Sequence, residues 1–252
     1  YGKFYKNYRN RAWYQQMEAD FNNTANKFGF KSVHELKKTI AYKIKQYVIN
    51  GGFLFAMCSA TDSFDIALSA LNVDIAHQVF DGTTIDSNYD TKLNFNNTVA
   101  FKDFQLYTDP MLYEYSTIDV PPGHQPVAKG AEEDYFTLFE FSAKWDPVPT
   151  MLTQCHVNTI NGFMGQTTGF NRDHLKKHIT ILGDDTGNLV KYIHGNVGRG
   201  TFTFLGGHDP EDYKHMVGDP PTELSLHPNS PGYRLILNNV LFPAARKKDK
   251  KT

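Results

Sequence analysis

Apolar residues recur at helical spacing at the start of the chain. Tyr14, Met17, Phe21, Ala25 and Phe28 stand three or four positions apart and are closed by Gly29, which predicts an amphipathic helix. A second helix follows at once. Ser32 and Glu35 have the spacing of a capping box, and Val33, Leu36, Ile40, Ile44 and Val48 form one stripe that Gly51-Gly52 stops. The period then changes. Phe53-Leu54-Phe55-Ala56 lacks polar alternation, as in a short strand covered on both faces. Cys58-Ser59-Ala60-Thr61-Asp62-Ser63 brings small and capping residues ahead of the apolar run Phe64, Ile66, Ala67 and Leu68. The segment reads as a strand-turn-helix unit.

From Val73 to about Thr150 the pattern weakens. Turn residues dominate at Asp81-Gly82-Thr83-Thr84 and at Pro121-Pro122-Gly123, and a strand is predicted over Val99 to Phe104 within long excursions from the sheet. Tyr135 to Phe141 and Met151 to Val157 read as strands around Pro147 and Pro149. Leu189 to His194 and Thr201 to Leu205 form a predicted hairpin about Gly195-Asn196-Val197-Gly198-Arg199-Gly200. A last helix starts near Pro231 and carries Leu235, Ile236, Val240 and Leu241. These elements predict an α/β fold: one domain over 1–245, with long insertions over about 74–150 and a basic tail at 246–252.

Composition narrows the function. With 40% hydrophobic and 14% aromatic residues against 21% charged, the chain is not predominantly disordered. The formal charge is −1, and the tail from Arg246 to Thr252 carries +4, leaving −5 on the body, which argues against a nucleic-acid footprint. Two cysteines exclude a disulfide scaffold, and no Cys/His spacing matches structural zinc. Neither a metal nor a cofactor is expected. No apolar run approaches the ~20 residues of a spanning helix, so no membrane span is expected in this segment. The chain opens at Tyr1 without an initiator Met or a signal-like stretch, so a fragment or processed product is expected, with the compartment open between cytoplasm and export.

Cys58 is the first candidate for chemistry. A residue between a buried strand and a helix stands at the carboxyl edge of the sheet, where open α/β folds bind ligands. Ala56 and Ala60 supply the small neighbours a nucleophile elbow requires, and a helix N-terminus favours a thiolate. The alternative is a buried structural cysteine. His208, in Leu205-Gly206-Gly207-His208-Asp209-Pro210-Glu211, is the candidate general base, with Glu211 or Asp209 to orient it. Alone it reads as a turn with a capping Asp. His174 and His178 are four apart, as metal ligands on a helix face would be, but the lysines between them favour a solvated face. A cluster of Asp209, His215 and His227 with His208 matches no ligand pattern. Cys155-His156 falls within a predicted strand, where adjacent side chains point to opposite faces.

Tyr47-Val48-Ile49-Asn50-Gly51-Gly52-Phe53-Leu54-Phe55-Ala56-Met57-Cys58-Ser59-Ala60-Thr61-Asp62 resembles the elbow segment of ThuA-like proteins, which belong to the class I glutamine amidotransferase-like superfamily. Gly198-Arg199-Gly200-Thr201-Phe202-Thr203-Phe204-Leu205-Gly206-Gly207-His208-Asp209 is similar to the hairpin and Gly-His ending of the same group. ThuA-like members usually carry His at the elbow. Glutamine amidotransferases carry Cys there and a later His-Pro-Glu, into which His208-Asp209-Pro210-Glu211 inserts one residue. Nearly the whole chain also resembles the C-terminal portion of a bacterial family labelled asparagine synthetase B, including Asp146-Pro147-Val148-Pro149-Thr150-Met151-Leu152 and His227-Pro228-Asn229-Ser230-Pro231-Gly232-Tyr233. The N-terminal Cys nucleophile and the Ser-Gly-Gly pyrophosphate loop of a true asparagine synthetase do not occur in the chain.

The resemblance implies a three-layer, mainly parallel, flavodoxin-like sheet with helices on both faces, begun late, so that the strands before the elbow and their oxyanion loop are missing. It implies a Cys58-His208-Glu211 amide hydrolase in which the Ser59 N–H is an oxyanion donor. Thr61, Asp62 and Asp209 would meet a small-molecule amide. The rival expectation is a non-catalytic ThuA-like module that binds a carbohydrate or small polar ligand through Trp145, Tyr135 and Phe139. A metal hydrolase using His208 and Asp209 ranks last.

Overall fold

Ser32 caps its helix as the spacing predicts, its hydroxyl accepting the Glu35 N–H at 3.3 Å. In the computed structural model, which describes residues 4–119, 135–141, 150–154, 157–163, 169–185, 189–211 and 219–244, three helices open the chain. They are α1 (Tyr5–Tyr8), α2 (Ala12–Lys27) and α3 (Val33–Ile49). Along α3, Val33, Leu36, Ala41 and Val48 are buried, whereas Ile40 of the predicted stripe is largely exposed. Strand β1 (Phe53–Met57), helix α4 (Ser59–Ser69) and the short helices α5 (Gln78–Asp81) and α6 (Tyr89–Lys92) follow. The remaining elements are β2 (Tyr135–Leu138), β3 (Thr159–Asn161), β4 (Phe170–Asn171), β5 (Thr180–Asp184), β6 (Leu189–Val197), β7 (Gly200–Leu205) and α7 (Pro231–Leu241).

The strands form one mixed sheet in the order β1-β7-β6-β5-β2-β3, with β4 paired to β6. Successive residues of β1 and β7 point to opposite sides. Leu54, Ala56, Phe202 and Phe204 join Ala41 of α3 and Phe64 and Leu68 of α4 in one apolar cluster. Phe55, Met57 and Leu205 join Leu235 and Ile236 of α7 in another. Helices therefore cover the sheet on both faces, and each fully buried Phe side chain is worth ~1.5–3 kcal/mol.

The expectation of a mainly parallel sheet is corrected. Of the strand pairs, β1 with β7 is parallel and the others are antiparallel. The cause is local: the two-residue turn Gly198-Arg199 reverses the chain between β6 and β7, and parallel pairing needs a long crossover. At Gly200 an added Cβ would lie 2.0 Å from the Val48 carbonyl oxygen, so the hairpin packs directly against the end of α3.

Among the described residues, two predicted strands do not form. Over Val99 to Phe104 there is one bridge, Phe101 with Leu175, because the N–H groups of Val99, Ala100 and Phe101 all donate to the Asp65 carboxylate at 2.8 Å. Residues Thr150–Leu152 form a 3-10 turn, and Gln154 has φ 44°, a left-handed conformation that cannot continue a strand. Pro121-Pro122-Gly123, Trp145, Pro147, Pro149, Cys155-His156, His215 and the basic tail lie outside the described residues. Among the described residues, no helix is long and apolar enough to cross a membrane.

His194 gives the fold a pH dependence. It lies on β6 opposite Thr203, its Nδ1 3.0 Å from the Thr203 hydroxyl, and burial pushes its imidazole from 6.5 down to about 4. The folded state holds it neutral and the unfolded state protonates it below pH 6.5. Its contribution is complete above that pH and lost as pH falls toward 4, a change of roughly 3 kcal/mol. Urea denaturation of wild type and His194→Gln should show a stability gap that narrows by about that amount between pH 7 and pH 4. A gap independent of pH would contradict this.

Candidate active site

Cys58 stands between β1 and α4 with φ 55° and ψ −138°, a conformation that L residues rarely adopt and that costs of order 1–3 kcal/mol. Both sides of the turn hold it there. The Cys58 N–H donates to the Leu205 carbonyl at 3.0 Å, prolonging the β1–β7 ladder, while the Cys58 carbonyl accepts the Thr61 N–H at 3.1 Å and the Thr61 hydroxyl at 2.7 Å. This is the strand-turn-helix unit expected from the sequence. The cysteine is 8% exposed and belongs to neither apolar cluster on the sheet. Ser59 opens α4, so its N–H is among those without an intrahelical partner.

Thr61 and Asp62 are fully buried. The hydroxyl of Thr61 braces the elbow, and Asp62 Oδ1 accepts the Ser63 N–H at 2.8 Å. These two bonds lie within the turn.

His208 reaches the same sheet edge from the neighbouring strand. Met57 pairs with Leu205 in the parallel register, so Cys58 and the Gly206-Gly207-His208 run leave adjacent strands in the same direction. Gly207 has φ +76°, and a Cβ there would lie 1.6 Å from the Phe163 carbonyl oxygen, so only glycine carries the chain past that point. His208 emerges exposed on the rim.

The residues after His208 are fixed by α7. Ser230 caps that helix, accepting the Tyr233 N–H at 3.2 Å, with Pro231 in its first turn. A Cβ at Gly232 would lie 2.2 Å from Pro210, so helix and turn are in close contact. Asp209 receives three donors: the Tyr233 hydroxyl at 3.0 Å, the Thr222 hydroxyl at 2.9 Å and the Glu211 N–H at 3.3 Å. Burial and the Asp209 partner hold the Tyr233 phenol up at about 12, so it remains a donor. Glu211 faces His227, whose Nδ1 lies 3.6 Å from Oε2. The two C-terminal motifs of the sequence are therefore one structural unit, with Asp209 at its centre and Glu211 turned to His227.

Comparison of the chain with protein-family models, with curated proteins and with solved structures finds no match in any of the three. The site is accordingly defined by its geometry.

Among the described residues, other histidines have structural partners. His174 and His178 do not share a helix, since Arg172–His174 is a short 3-10 turn. Asp173, Lys177 and His178 are exposed, as a solvated face would be, and both histidines also bond the excursion after α6. His174 Nε2 lies 2.8 Å from the Thr117 hydroxyl and Nδ1 3.1 Å from the Lys102 carbonyl, while His178 Nε2 lies 3.2 Å from the Val99 carbonyl. Lys176 adds two bonds to the same excursion, at 2.7 Å to Phe95 and 2.6 Å to Thr98. Among the described residues, His34, Asp74 and Asp81 bring ligand-type atoms within 4.8 Å of one another. The two carboxylates also accept N–H and hydroxyl groups of Ala76 and Thr83, which makes the group part of a turn.

Proposed function

We propose that the chain is a Cys–His amide hydrolase of glutaminase type, allied to the class I glutamine amidotransferase-like superfamily, to its ThuA-like proteins and to the family labelled asparagine synthetase B. The observation that supports it is the strained Cys58 elbow beside a strand that delivers His208 to the same edge. Strain at a non-glycine residue persists where the surroundings enforce it, and functional sites are where it collects.

In this reading His208 takes the Cys58 proton and the sulfur attacks the amide carbon, opening the C=O bond to an oxyanion that the Ser59 N–H stabilises. Collapse breaks the C–N bond, and protonated His208 gives its proton to the departing amine. Water, deprotonated by His208, then attacks the thioester and returns the thiol. Asp209 and the α7 residues position the base. A second donor aimed at the same oxyanion would be worth a further ~10²–10³ in rate.

A second reading has its own observation. A cavity of about 490 Å³ is lined by Phe139, Phe141, Gln154 and Asn158, with Tyr135 exposed on the same strand, β2, that leads to Phe139. Such a mixture of aromatic and amide groups suits a carbohydrate or small polar ligand. Ammonia release from glutamine and simple primary amides by the full chain separates the two. Release, with hydroxylamine diverting the thioester to a hydroxamate, supports the hydrolase. Saccharide binding without release supports the module.

A further inference from the structure

We infer that the cavity between α4 and the excursion that follows it binds a small organic cation with an apolar body, held by Glu114. The cavity measures about 210 Å³ and is walled by Ile66 of α4 together with Ile75, Phe80, Leu106 and Leu112. Glu114 lines it and is 3% exposed; its Oε1 is inaccessible to solvent and has no hydrogen-bond partner among the described residues. A buried carboxylate with one oxygen lacking a hydrogen-bond partner is costly, and an opposite charge in the adjoining cavity offsets that cost.

The rest of the lining favours a cation over other occupants. Among the described lining residues there is no Lys or Arg, His77 has its Nδ1 engaged by the Val79 N–H at 3.3 Å, and the second carboxylate, Asp109, is exposed with Oδ1 accepting the Met111 N–H at 2.8 Å. An anion would meet two acidic groups. A neutral ligand would leave Glu114 as it is. Burial, with Glu114 as the secondary cause, holds the Tyr107 phenol above its ordinary range, so Tyr107 lines the cavity as a neutral hydrogen-bonding group. Size selects the body: an apolar cavity of ~150 Å³ accepts a benzene ring, so this one takes a ring or branched chain with a short ammonium arm.

The site is separate from the proposed chemistry at Cys58 and does not depend on it. Calorimetric titration of the full chain with phenethylammonium, 2-phenylethanol and 3-phenylpropionate tests it. The ammonium should bind at least ~10-fold more tightly than the alcohol, and the carboxylate should bind most weakly. In Glu114→Gln the preference for the ammonium over the alcohol should disappear, and Leu112→Trp, which fills the cavity, should abolish binding of both. Equal affinity of ammonium and alcohol in wild type, or no ammonium binding at millimolar concentration, would overturn the proposal. So would an undiminished preference in a folded Glu114→Gln. The wild-type comparison decides without any variant.

Discussion

Replacing Cys58 by serine should lower amide hydrolysis by ~10³-fold or more while the protein stays folded. A hydroxyl is far less ionised than a thiol at neutral pH and a weaker nucleophile, and removing a nucleophile from a unit of cooperating groups abolishes nearly all of that unit's contribution. Rates of ammonia release before and after the substitution measure this. Stability should respond in the opposite way to a different change. Cys58 holds φ 55° and ψ −138°, a region open to glycine, so Cys58→Gly should be more stable than Cys58→Ala by about 1 kcal/mol. A variant that loses activity as it relieves strain is the behaviour of a site whose backbone is set by function.

The largest effect on folding is expected at Asp65. Its carboxylate is fully buried and accepts three consecutive backbone N–H groups at 2.8 Å, from Val99, Ala100 and Phe101. Lys45 fixes the same excursion through the Asn97 carbonyl at 2.6 Å. Asp65→Ala would leave three buried donors without an acceptor, and a loss of about 3–5 kcal/mol follows. Urea denaturation checks it, and a loss below about 1 kcal/mol would contradict it. Burial raises the Asp65 carboxyl from 3.8 to about 6 against the pull of these N–H groups and Lys176. Protonation is therefore favoured in the fold, and this group's contribution is present below pH 3.8 and lost as pH rises through 6, the reverse of His194.

The local elements were the most legible part of the sequence. Helix α3, the elbow unit and α7 announce themselves through caps, stripes and small residues, and the two-residue turn at Gly198-Arg199 lies inside the glycine-bounded hairpin signal. Sheet direction was not legible, because it depends on which strand each connection returns to. The segment Val99 to Phe104 has strand composition, yet its N–H groups bond a helix side chain distant in sequence, which periodicity cannot reveal. A signal existed: Asp65 interrupts the apolar run Phe64, Ile66, Ala67 and Leu68, and a carboxylate there demands donors from elsewhere. At the site, Cys58 and His208 were legible from the strand ends and glycines beside them. The partnership of Glu211 with His227, and of Asp209 with Thr222 and Tyr233, arises from how α7 docks.

The most direct measurement is the rate at which iodoacetamide alkylates Cys58 in the native protein as a function of pH, read by peptide mapping, for wild type and His208→Gln. An imidazole within reach and a helix N-terminus together should place the wild-type inflection well below the ~8.5 of an ordinary thiol, and His208→Gln should move it upward by about one pH unit. Identical profiles in the two proteins, or a wild-type inflection at or above the ordinary value, would show that the sulfur and the imidazole do not act together.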